Sequence, residues 1–170
     1  MEIKTIVVGP LQTNCYLLIK DRDCLIVDPG AEGNKIKAAI GDKNLIGIII
    51  THHHFDHLDA LEAFSDIPVY DCHNLNEGDN QIGEFIFKVI HTFGHTDDSI
   101  SIYFEENKLI FSGDFLFKGT VGRTDLETGC PEVMNDSITK IKAYDDNIVV
   151  YPGHGESSTI GEEKINNPFF

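Results

Sequence analysis

No apolar run in this 170-residue chain approaches the roughly 20 residues needed to cross a bilayer. Residues Met1 to Val8, which include Glu2 and Lys4, lack the apolar core of a signal peptide. Cysteine is scarce and scattered. Cys15, Cys24, Cys72 and Cys130 make no C-x-x-C pair, which excludes a disulfide scaffold and a thiolate zinc site and leaves four reduced, structural thiols. Basic residues are few, 13 against 28 acidic, and the formal net charge of -15 repels nucleic acid and anionic membranes. No stretch rich in Pro, Ser or Gly marks a linker, and no segment is of low complexity. The expectation is one domain over residues 1–170, cytoplasmic, with a core of its own.

The apolar pattern comes in bursts. Glu2–Val8, Cys15–Ile19 and Cys24–Val27 read as consecutive strands, closed by the turn Asp28-Pro29-Gly30. Asn34–Ile40 reads as a helix and Leu45–Ile50 as a buried strand. His57–Phe64 looks helical, with Leu58, Leu61 and Phe64 at helical spacing. Phe85–Ile90, Ile100–Phe104, Lys108–Phe111 and Ile148–Tyr151 are further strands. Pro131 opens a helix running to about Tyr144, with Val133, Ile138 and Ile141 inward. Thr159-Ile160-Gly161-Glu162 has the form of a capping box. The expected class is α/β: two sheets with helices outside them.

What is abundant is histidine in one place. His52-His53-His54-Phe55-Asp56-His57 packs four imidazoles and a carboxylate into six positions, just past the strand Leu45–Ile50. Imidazole is the commonest metal ligand, and strand C-terminal ends are where α/β folds place chemistry. Three more strand-like runs end in the same style, with Gly94-His95, Gly113-Asp114 and Gly153-His154. His52, His54 and His95 can hold one metal and Asp56, His57 and His154 a second, with Asp114 bridging. Three protein ligands per metal leave an open position, the mark of a catalytic site. Two metals about 3.5–4 Å apart can clamp a hydroxide and polarise a carbonyl or phosphoryl oxygen. Successive side chains alternate along an extended loop, so His53 is expected to be a spacer. His91 reads as a strand-end residue and His73 as a solvated one in a polar turn.

The run His52-x-His54-x-Asp56-His57, with Gly94-His95-Thr96, Gly113-Asp114 and Gly153-His154-Gly155, resembles the metallo-β-lactamase superfamily. That resemblance implies an αββα sandwich of two mixed sheets flanked by helices, and the same division of ligands. Thr13-Asn14-Cys15-Tyr16-Leu17, Val27-Asp28-Pro29-Gly30, Leu116-Phe117 and Gly122-Arg123-Thr124-Asp125 are similar to the glyoxalase II (hydroxyacylglutathione hydrolase) branch. So is Tyr151-Pro152-Gly153-His154-Gly155. The tail from Thr159 to Phe169 is like that of the short bacterial members, which stop after the catalytic domain.

The resemblance implies a thioesterase acting on S-lactoylglutathione or a related acyl-thiol through a metal-bridging hydroxide. It implies two divalent ions, zinc first, with iron or manganese as options. Asp56 is the expected catalytic carboxylate, Asp28 a group holding a ligand histidine from behind, and Arg123 and Lys118 substrate-binding cations. Alternatives within the superfamily are a mononuclear iron persulfide dioxygenase and a hydrolase of another small ester or lactone. The chain departs from the family pattern at Leu58-Asp59-Ala60, Phe93, Asp97-Asp98 and Phe115. None of these positions is an expected ligand.

Overall fold

The structure, a computed structural model, describes residues 1–170. The first sheet takes its strands in chain order: β1 (Glu2–Val8), β2 (Thr13–Lys20), β3 (Asp23–Val27), β4 (Asn44–Ile49) and β5 (Val69–Tyr70). Pairing is antiparallel from β1 to β3 and parallel from β3 to β5. Helix α1 (Gly33–Ile40) makes the crossover between β3 and β4.

The second sheet contains β6 (Gly78–Ile82), β7 (Phe85–His91), β8 (Ile100–Phe104) and β9 (Leu109–Gly113) as an antiparallel meander. A small hairpin, β10 (Leu116–Phe117) and β11 (Thr120–Val121), then leads to helix α2 (Pro131–Lys142). Strand β12 (Val149–Pro152) pairs parallel to β9, and β13 (Ser158–Thr159) closes the edge before helix α3 (Ile160–Asn166).

Alternation along the strands sorts the core into three layers, because successive strand side chains face opposite ways. Between the sheets, Tyr16, Leu18, Leu25, Val27 and Ile49 meet Phe85, Phe87, Val89, Ile102 and Phe111. The neighbours Cys15, Leu17, Cys24, Ile26 and Ile48 face outward onto Ile36 and Ile40 of α1 and onto Phe64. On the far side, Ile110, Val150 and Ile90 pack under Met134, Ile138 and Ile141 of α2 and Ile160 of α3. The result is the expected αββα layering of two mixed sheets.

Two expectations about helices need correction. His57–Phe64 is not one α-helix but two 3-10 turns, Phe55–His57 and Leu61–Phe64. Asp56 and His57 are spent on the site, and the first turn buries only His57. In α2 the inward residues are Met134, Ser137, Ile138 and Ile141, while Val133 is 38% exposed. The stripe runs one position later because Ser137, which donates to the Phe93 carbonyl at 2.7 Å, belongs to the buried face. The capping box at Thr159 is present in both directions. All four cysteines are free, with Cys15 and Cys24 buried.

Candidate metal centre

Strand ends deliver the polar side chains to one edge of the sandwich. The loop after β4 carries His52, His54, Asp56 and His57, the loop after β7 carries His95, the end of β9 carries Asp114, and the loop after β12 carries His154. Parallel pairing of β9 with β12 sets Asp114 and His154 side by side. Gly153 makes that approach possible: a Cβ built on it would lie 2.1 Å from Asp114 Oδ1 and 2.7 Å from His57 Cε1.

All seven expected ligands converge. His54 Nδ1 lies 3.1 Å from His52 Nε2 and 3.0 Å from His95 Nε2, three ring nitrogens facing a common point. Asp56 Oδ2 lies 3.2 Å from His154 Nε2 and 3.6 Å from His57 Nε2. Asp114 spans the two groups, with Oδ1 3.3 Å from His57 Nε2 and Oδ2 3.7 Å from His95 Nε2 and 3.5 Å from His154 Nε2. His57 Nε2 and Asp114 Oδ1 are buried and have no hydrogen-bond partner. A buried polar atom without a partner costs about 1–3 kcal/mol, so these two need a further group between them. A divalent cation fits that donor set of imidazoles and carboxylates.

In four of the five ligand histidines the opposite ring nitrogen is held from behind. His57 Nδ1 donates to Asp28 Oδ2 at 2.9 Å, His95 Nδ1 to the Arg123 carbonyl at 2.7 Å, and His154 Nδ1 to the Leu11 carbonyl at 3.0 Å. His52 Nδ1 lies 3.1 Å from Thr51 Oγ1, whose hydroxyl donates onward to Asp28 at 2.7 Å. These contacts direct the Nε2 lone pairs of His52, His57, His95 and His154 into the site. Asp28 also accepts the Thr51 N–H at 2.8 Å, and its φ of 54° is a left-handed conformation that Asp tolerates better than most residues.

Several of these partners were not legible in the sequence. Thr51 carries no motif of its own, Thr13 stands in a family-like motif that assigned it no role although its hydroxyl donates to Asp56 Oδ2 at 2.8 Å, and backbone carbonyls carry no motif at all. Tyr16 does more than pack, for its hydroxyl donates to the Pro152 carbonyl at 2.6 Å beside the His154 loop. Arg123 contributes its carbonyl, while its guanidinium forms a two-point pair with Asp125 at 2.7 and 2.8 Å on the surface. Lys118 is paired with Glu156 at 2.7 Å. Neither cation stands among the seven ligands. His53 is not an idle spacer, since it contacts Asp98 and Asp71.

Protons and metal compete for this centre. Burial opposes charge on His57, but Asp28 and Asp114 outweigh it and raise its pKa to about 10. Hydrogen bonds to Asp114 and Asp56 raise His154 to about 10 as well. Burial instead lowers His52 and His54. In metal-free protein at neutral pH the His57 and His154 rings are therefore charged, and binding must expel their protons. Metal uptake at pH 7 is expected to release protons and to tighten as pH rises toward 10. Calorimetric titration in buffers of different ionisation enthalpy measures that release, and a buffer-independent heat would count against it.

The match to known proteins is broad. The model of the metallo-beta-lactamase superfamily fits residues 8–70 and 74–154. The chain belongs to that superfamily. A probable metallo-hydrolase, YqgX of Bacillus subtilis (strain 168), is 37% identical across 99% of this chain and 97% of its own length. Hydroxyacylglutathione hydrolase GloC of Haemophilus influenzae is 33% identical across 99% and 98%. Among solved structures, the BLEG-1 B3 metallo-beta-lactamase superposes with a TM-score of 0.94 at 34% identity, covering 99% of both chains. TTHA1623 in a di-iron-bound form superposes at 0.89 with 31% identity, covering 98% of this chain and 100% of that one. As a superfamily member with this donor set, the protein is a metal-dependent hydrolase.

Proposed function

We propose that the centre holds two divalent metal ions and hydrolyses a small acyl-thiol of the hydroxyacylglutathione kind. The observation that carries this reading is the pair of partnerless buried atoms, His57 Nε2 and Asp114 Oδ1, set within two complete ligand triads. His52, His54 and His95 would hold one metal, Asp56, His57 and His154 the other, and Asp114 both. Bound there, the metals would supply a nucleophilic water at neutral pH and a Lewis acid for the thioester carbonyl. Zinc suits the ligands, and iron and manganese suit them too, as the di-iron form of TTHA1623 illustrates.

The chain's own residues do the positioning. Thr13 donates to Asp56 Oδ2 and fixes the carboxylate that would accept the proton of the attacking water. Charge neighbours help to hold that carboxylate ionised: burial raises its pKa, but the hydrogen bond from His154, the charge of His57 and the Thr13 hydroxyl bring it to about 2. Leu11, whose carbonyl holds His154, and Phe55, next to Asp56 in the chain, both have exposed apolar side chains. Phe117, its ring 6.2 Å from that of His154, adds a wall.

A cleft of about 260 Å³ at the ligand His154 is lined by Phe117, Lys118, Gly155 and Glu156, and a separate cleft of about 520 Å³ is lined by Arg123, Met134, Ile138 and Phe169. Exposed ion pairs such as Arg123–Asp125 and Lys118–Glu156 are worth little, so both cations can be given up to an anionic thiol carrier. The near-full-length similarity to GloC supports the thioester over other esters or lactones.

The protein is expected to carry two metals per chain and to hydrolyse S-lactoylglutathione. Elemental analysis paired with that assay tests both. A single iron, with oxygen uptake on glutathione persulfide and no thioester hydrolysis, would instead identify a persulfide dioxygenase. The complete Asp56, His57 and His154 set favours two metals over one.

A further inference from the structure

His53 sits between two ligands of the metal centre yet belongs to a different cluster. Its Nδ1 contacts the Asp98 carboxylate, its Nε2 lies 3.2 Å from Asp71 Oδ2, and the ring of His73 lies alongside at 5.5 Å between centroids. One donor atom from each of His53, His73 and Asp98 falls within 4.8 Å of the other two. Three segments meet here: the loop after β4, the turn after β5, and the loop between β7 and β8.

We propose that His53, His73 and Asp98 form a peripheral site for a borderline divalent cation such as zinc, with Asp71 orienting His53. Asp71 is fixed independently of any ion. Its N–H donates to Asn74 Oδ1 at 3.0 Å, and its Oδ1 accepts the His73 N–H at 2.9 Å. Its Oδ2 lies 3.2 Å from His53 Nε2. A carboxylate behind one imidazole nitrogen orients the ring, here with Nδ1 turned toward Asp98. Asp98 Oδ1 accepts the Thr96 hydroxyl at 2.6 Å, and its Oδ2 is hydrogen-bonded to His53 Nδ1, the contact that a cation would replace.

Two imidazoles and one carboxylate are a zinc-type donor set, with a coordination position left for water. The Asp71 and Asp98 side chains are only 15% and 14% exposed, so the carboxylates are already in place. The His53 side chain is 41% exposed and His73 is at the surface, which provides the route of entry. The two carboxylates carry negative charge that a dication offsets. An ion here would tie the loop carrying His52 and His54 to the loop carrying His95, a bracing role outside the chemistry.

The test is elemental analysis of the full-length, metal-loaded protein equilibrated with zinc and passed through gel filtration at fixed micromolar free zinc. Wild type is expected to retain one more zinc per chain than either His73→Ala or Asp98→Asn. His91→Ala, at a histidine outside the cluster, is expected to retain the wild-type amount. A zinc-dependent rise in thermal midpoint should likewise be lost in the first two variants, with far-UV circular dichroism unchanged. Equal zinc content in wild type and both variants would overturn the site, and would leave the cluster as a hydrogen-bonded pair of His53 and Asp98 only. The difference of one equivalent carries the result, so it holds whether the main centre takes one metal or two.

Discussion

Asp56→Asn is expected to lower kcat on S-lactoylglutathione by about 10²–10⁴-fold, the range spanned by loss of a positioned proton acceptor. The substitution keeps the shape of the side chain. Its carbonyl oxygen can still accept the Thr13 hydroxyl now 2.8 Å from Oδ2, so the first 3-10 turn has no reason to move. What is lost is the negative charge facing His154 at 3.2 Å and His57 at 3.6 Å, and with it both the proton acceptor and a metal ligand. Metal content should fall toward one equivalent while circular dichroism and the denaturant midpoint stay close to wild type. Full turnover in Asp56→Asn would refute the role assigned to this carboxylate.

Gly153→Ala is expected to be nearly as damaging, although it adds a single methyl and removes no functional group. The new Cβ would lie 2.1 Å from Asp114 Oδ1 and 2.7 Å from His57 Cε1, inside van der Waals contact with two ligands at once. The backbone cannot retreat. The Gly153 N–H donates to the Gly113 carbonyl at 2.8 Å, and its own carbonyl accepts the Asn14 N–H at 2.7 Å. Something must give, and the carboxylate is the softer part. Overpacking of this kind costs about 1–3 kcal/mol, enough to displace Asp114 without unfolding the domain core.

Turnover in Gly153→Ala should drop at least about 100-fold, in line with the loss of a metal-supporting contact. Gly155→Ala makes the matched control. It has φ of 77°, so alanine there is strained by about 1–2 kcal/mol, but no atom lies within 4 Å of its Cβ position. Similar activity losses in the two variants would show that backbone strain, not the clash with Asp114, is responsible.

Much of the fold was legible because a strand whose two faces are buried by different partners must be apolar at successive positions. Leu17 and Leu18, or Ile48 and Ile49, point into separate cores, and a run of apolar residues is the direct consequence. Strands β5, β6, β10, β11 and β13 were not legible. They are short or lie at sheet edges, as Gly78–Ile82 does with its polar Asp79, Asn80 and Gln81, and their pairing is decided by neighbouring backbone. The apparent helix at His57–Phe64 failed because three apolar residues at helical spacing can equally be buried by two separate turns.

The sequence by itself determined which side chains could bind metal, since imidazoles and carboxylates are named by residue type and their glycine-marked loops follow recognisable strands. Its apolar bursts suggested two sheets under helices, because those residues must leave water, but periodicity alone did not fix that layering. Only the tertiary structure decided which nitrogen of each histidine faces inward. That choice rests on Asp28 and on the carbonyls of Leu11 and Arg123, and a carbonyl looks the same in every residue. Only the tertiary structure, too, turned His53 out of the centre toward Asp71 and Asp98, because partners 18 and 45 residues away meet it through packing rather than through any local pattern.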